Sequence, residues 1–144
     1  MLSASNWFFW ALLSAVFAAL TAIFAKVGLE AVNSDLATLI RTFVIMVVLT
    51  GFVLMTGKWS NPFDLPSRTW LCLVLSGLAT GASWVCYFRA LKIGEVSKVA
   101  PVDKLSIVLV AIFAFAFLNE RPSVREWVGI LMVAGGALVL GLKR

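Results

Sequence analysis

The sequence predicts an all-α membrane protein with five transmembrane helices, and three observations carry that expectation. The chain of 144 residues is 62% hydrophobic and 13% charged, with a mean hydropathy of +1.02, far from the roughly half-apolar, quarter-charged make-up of soluble domains. Its charges leave five uncharged windows, Trp7–Ala25, Thr42–Gly57, Thr69–Phe88, Leu105–Asn119 and Trp127–Leu142. Each approaches the ~20 residues with which a helix crosses about 30 Å of hydrocarbon. Turn-forming residues separate these windows, so that short connections are expected to set consecutive helices antiparallel in one bundle.

The first helix, over about 7–25, has no Lys or Arg before it and a longer apolar run than a signal core, so a retained span is expected rather than a cleaved leader. Asn33-Ser34-Asp35 is placed to cap a second helix over 36–56. "GKWSNPFDLPSR" supplies two prolines and an interfacial Trp59 before a third helix over 69–90. Gly94 is expected to end that helix and Ser97 to begin the fourth, whose membrane part covers 100–118. Pro122 and a Ser123-to-Glu126 capping box start the fifth, 125–142. No internal repeat, long linker or low-complexity tract is visible, so residues 1–144 read as one domain.

Several function classes recede on composition. With no histidine, no His-containing metal site or histidine general base is expected, and no cofactor. Cys72 and Cys86 share the third window fourteen positions apart, about 21 Å along a helix, too far to bridge each other. No nucleophile-base pair suggests an enzyme. The net charge of +5 would suit nucleic acid in a soluble domain, but here the basic residues sit at helix ends, where their better use is orientation. Lys26, Arg41, Arg89, Lys92, Lys98, Lys104, Lys143 and Arg144 fall on one side of a five-span topology, against Lys58, Arg68, Arg121 and Arg125. Eight against four favours an external N-terminus and a cytoplasmic C-terminus.

Small residues recur at four-residue spacing, as Ala15, Ala18, Ala19 and Ala22, as Gly77 and Gly81, and as Ala137 and Gly141. Such faces let membrane helices approach closely, within the bundle or between copies.

The charges inside the spans are the candidate functional residues, because an ionised group in hydrocarbon is expensive unless paired or watered. Arg41, Asp103 and Lys104 lie a turn or more inside. Asp103 is too short to reach the interface and needs a cation. Lys104 points about 100° away on an ideal helix, which leaves Arg41, Arg89 and Lys26 as candidates. Pro101 adds a missing amide and a free Ser97 carbonyl at that depth, and irregular backbone is tolerated where it lines water or a site. The structural alternative is that Asp103 and Lys104 cap the helix and fix its depth. Thr80, Ser83, Trp84 and Tyr87 follow the spacing of one helical face, and with Trp10 and Ser14 of the first helix they are candidates to line a pathway. Trp84 and Tyr87 serve equally well as interfacial anchors.

The run "YFRALKIGEVSKVAPVDKLSIVLVAIFAFAFLNERPS" from Tyr87 to Ser123, with the closing "WVGILMVAGGALVL", resembles the EamA domain of the drug/metabolite transporter superfamily. The resemblance covers essentially the whole chain. It implies one five-helix repeat of a ten-helix transporter: a secondary transporter or exporter of small metabolites in a bacterial inner membrane, working by alternating access as a homodimer or with a partner five-helix subunit. The alternative is a non-transporting membrane scaffold or regulatory subunit. Small multidrug transporters of that superfamily carry an acid in the middle of the first helix. Trp7–Ala25 has none, which argues against proton-driven export of lipophilic cations.

Overall fold

The computed structural model describes residues 6–142 as helices joined by short turns: α1 (Asn6–Gly28), α2 (Ser34–Met55), a 3₁₀ turn (Pro62–Asp64), α3 (Ser67–Ile93), α4 (Val96–Asp103), α5 (Ser106–Leu118) and α6 (Val124–Gly141). Five spans are long and apolar enough to cross a membrane, α4 and α5 together forming the fourth, Val96–Leu118. The five expected spans are therefore present.

Local chemistry sets the helix ends. The Asn33 side chain accepts a hydrogen bond from the Asp35 amide at 2.8 Å and starts α2. At α6 the capping box forms in full: the Ser123 amide donates to Glu126 Oε2 at 2.6 Å, and the Glu126 amide donates to Ser123 Oγ. α5 ends on Asn119 in the left-handed region (φ 54°). α2 gives way to Gly57 at φ 64°, where a residue without Cβ is favoured. Threonine hydroxyls inside the spans turn back on their own helix, Thr38 to the Ser34 carbonyl and Thr42 to the Thr38 carbonyl, each at 2.8 Å. That satisfies their polar atoms without water.

By contacts the chain forms two compact units. The first combines the residues up to Lys26 with those from Ile93 onward. Its buried side chains are small, namely Ala22, Ala111, Ala134 and Ala137, and α6 packs on both α4 and α5. Close approach is the reason for the small residues. A Cβ built on Gly141 would stand 2.8 Å from Val102 Cγ2, so α6 meets α4 with no room for alanine.

The second unit is Val27–Lys92. It buries larger groups, Leu29, Phe88 and Leu91, together with Thr38. Phe88 and Leu91 stand three apart and share one face of α3. Gly77 and Gly81, further back on α3, meet no atom within 4 Å of an added Cβ. Elsewhere most large apolar side chains are exposed, as expected of helices whose solvent is lipid rather than water.

Candidate functional site

The fourth span is interrupted. Pro101 stands inside α4 and has no amide to give the Ser97 carbonyl. Just beyond it the backbone changes to three-residue hydrogen bonds, Lys104 to the Pro101 carbonyl and Leu105 to the Val102 carbonyl, both 3.0 Å. Ile107 to Lys104 (3.0 Å) and Val108 to Leu105 (3.1 Å) continue the pattern. The Asp103 carbonyl accepts the Ser106 hydroxyl at 2.9 Å. The break lies after eight residues of the span, about 12 Å from its start.

The two charges expected to matter flank this break. Lys104 Nζ lies 3.2 Å from Asp103 Oδ2. Sequence neighbours diverge on an ideal helix, but Lys104 is the residue that terminates α4, and its long side chain folds back onto the carboxylate. The reading that Lys104 is a poor partner for Asp103 is thus corrected. The other cations proposed for Asp103 are engaged elsewhere. Lys26 donates to the Gly94 carbonyl at 2.8 Å, tying the end of α1 to the turn before α4. Arg89 is held by Asp35: Nε to Oδ1 at 3.0 Å and Nη2 to Oδ2 at 2.8 Å. Lys92 donates to the Leu29 and Val32 carbonyls.

Arg41, the eighth residue of α2, is treated differently. Its guanidinium carbon stands 4.7 Å over the Trp84 ring and 5.1 Å over the Phe88 ring, a cation–π arrangement on one face of α3. Tyr87 is half-buried, with its ring edge-on to Phe88 at 6.2 Å. Thr80 and Ser83 are exposed, and the Thr80 hydroxyl is bonded to the Ser76 carbonyl of its own helix at 2.9 Å. Within the second unit Phe88 and Leu91 are buried on α3, Trp84 and Tyr87 are half-buried, and Thr80 and Ser83 are exposed. Trp10 and Ser14 are exposed on α1 in the first unit, Trp10 stacked edge-on with Phe9 at 5.7 Å.

Sequence reasoning missed Asp35 as a partner and Phe88 as a support. The available signal was position: Asp35 opens the second helix and Arg89 nears the end of the third, on the same side of the membrane. The first unit also carries an open groove of about 570 Å³ between α5 and α6. Its lining includes Ala111, Ala114 and Gly129 together with Glu120, Arg121 and Pro122.

Five helices long and apolar enough to cross a membrane, the fourth interrupted beside an ion pair, describe a multi-pass membrane protein. The chain belongs to the EamA-like transporter family, which matches residues 5–142. It is 60% identical over 137 residues to an "Uncharacterized transporter in cobO 3'region" of Sinorhizobium sp., covering 95% of this chain and 97% of that protein. It is 32% identical over 85 residues to a "Probable 4-amino-4-deoxy-L-arabinose-phosphoundecaprenol flippase subunit ArnE" of Pseudomonas fluorescens, covering 58% of this chain and 69% of the subunit. The transporter YxxF of Bacillus subtilis is 26% identical over 133 residues, which span 91% of this chain but 41% of YxxF. No solved structure matches the chain.

Proposed function

We propose that the protein is a secondary transporter of small metabolites in a bacterial inner membrane, one five-span unit of an alternating-access assembly. The observation that carries this is the interruption of the fourth span beside the Asp103–Lys104 pair. The proline denies the Ser97 carbonyl its helical amide, leaving an acceptor that a solute or coupling ion can use, and the change of backbone bonding after it gives the span a point at which to bend. Asp103 and Lys104 hold each other neutral when no solute is engaged, and release one charge when it is.

The second five-span unit is another copy or a partner subunit. The length of YxxF supports a doubled arrangement, because this chain matches less than half of it. The eight-to-four distribution of Lys and Arg supports an external N-terminus and a cytoplasmic C-terminus.

The test is flux in liposomes loaded with amino acids and other metabolites. Saturable counterflow that is lost in Asp103→Asn, with the protein still folded, supports the reading. A second reading, a scaffold or regulatory membrane subunit, draws on the flippase relative being named a subunit. Absence of flux for every solute, with or without a co-expressed partner, would favour it.

A further inference from the structure

We propose that Arg41 is the recognition group for an anionic substrate, a carboxylate or phosphate carried by the transported solute; this rests on the transporter reading above. Every acid deep in or near the spans of the described residues that forms an ion pair has taken a cation other than Arg41: Asp35 holds Arg89, Glu95 holds Lys98 and Asp103 holds Lys104. Among the described residues, the Arg41 guanidinium forms no ion pair and no side-chain hydrogen bond; it lies against the two rings, with Tyr87 near enough to act on it electrostatically. It sits about 10 Å along α2 from the helix start, a depth at which an unneutralised guanidinium is costly.

The aromatic support explains how such a group is kept in place. Trp84 and Phe88 attract the positive charge through their ring faces, which fixes the guanidinium without spending its five N–H donors. Phe88 is in turn 2% exposed, its ring packed within the second unit. A planar donor fork held by its face is the geometry that grips a carboxylate or phosphate with two parallel hydrogen bonds. Lysine would supply the charge but not the fork. One chemistry, the oxyanion, fits both a soluble substrate and a phospholipid headgroup; the transport fold selects the soluble source.

The experiment is arginine-directed labelling with phenylglyoxal at constant ionic strength, read at Arg41 by peptide mass spectrometry, with Arg68, Arg121 and Arg125 as internal references. In phosphate-free maltoside micelles, succinate or inorganic phosphate is expected to slow labelling of Arg41 by about tenfold, as loss of a bidentate pair implies, while choline and glucose leave it unchanged. Equal labelling in all four overturns the inference. So does protection that appears only in phospholipid liposomes, independent of added solute, which would assign Arg41 to headgroup anchoring. Arg41→Lys, which keeps the charge, is expected to raise the half-saturating concentration for flux of an anionic solute by about tenfold with a smaller change in maximal flux. A purely structural role would lower maximal flux or melting temperature instead. Should Arg41 be protected while no solute is carried, the anion site stands and the transport reading fails. Should a neutral or cationic solute be carried with Arg41 indifferent to anions, transport stands and the anion site fails.

Discussion

Arg89 grips Asp35 with two hydrogen bonds, 3.0 Å from Nε and 2.8 Å from Nη2, joining the end of α3 to the first turn of α2 across 54 positions of sequence. Asp35 is well placed for a second reason: an acid in the first turn faces the positive end of the helix dipole. Beside it Lys92 closes the same end of the unit on the Leu29 and Val32 carbonyls. The second unit is therefore clasped at one end by charge and further along by Arg41 on Trp84.

The clasp makes a prediction about coupling. Asp35→Asn and Arg89→Gln are each expected to lower the melting temperature in micelles, because each leaves the other charge alone. The double variant is expected to melt higher than the sum of the two losses allows. Additive losses in that double-mutant cycle would show that the pair contributes nothing to stability.

These two residues also show where sequence reading stops. Uncharged windows locate spans well, since hydrocarbon excludes charge wherever it is met, and the Ser123–Glu126 box is legible because both partners lie within one turn. Asp35 was visible only as part of a cap, because a partner 54 positions away depends on the relative register of two helices. The break after Asp103 was hidden for another reason. Pro101 marks a lost hydrogen bond at Ser97, but the helix absorbs that loss and the three-residue bonding begins at Lys104. The helix starts at Val96, one residue ahead of the expected Ser97, and its irregular part begins eight residues in.

Gly141 marks a close approach of α6 to α4. Gly141→Ala would press a methyl against Val102 and is expected to destabilise the protein by about 1–3 kcal/mol, the usual range for overpacking. Val102→Ala in the same chain should recover part of that loss by making room. Gly136→Ala on the same helix meets nothing within 4 Å and serves as the control; gaining helix propensity without a clash, it should be neutral or slightly stabilising. Thermal melts of the three variants decide the matter, and equal behaviour of the two glycine substitutions would remove the packing argument.

The distribution of basic residues predicts an orientation that fusions can test. An alkaline phosphatase fusion after Arg144 is expected to be inactive and a green fluorescent protein fusion at the same place bright, as for a cytoplasmic C-terminus. Adding two or three lysines between Lys58 and Arg68 narrows the eight-to-four bias and should produce a mixed population, with both reporters partly active. A single unchanged orientation would show that something other than the flanking charge sets the topology.

Pro101 tests whether the interrupted span serves transport or is merely tolerated. Pro101→Ala returns the amide that can bond the Ser97 carbonyl and removes the ring from the helix interior, a change worth up to about 3 kcal/mol in favour of the helix. If Asp103 and Lys104 work because the backbone beside them is irregular, the variant should melt higher and carry solute several-fold more slowly, with Asp103 and Lys104 both present. The direction matters more than the size. A variant that is both more stable and equally fast would mean that the proline serves only to end α4, and the solute path would have to be sought away from Asp103.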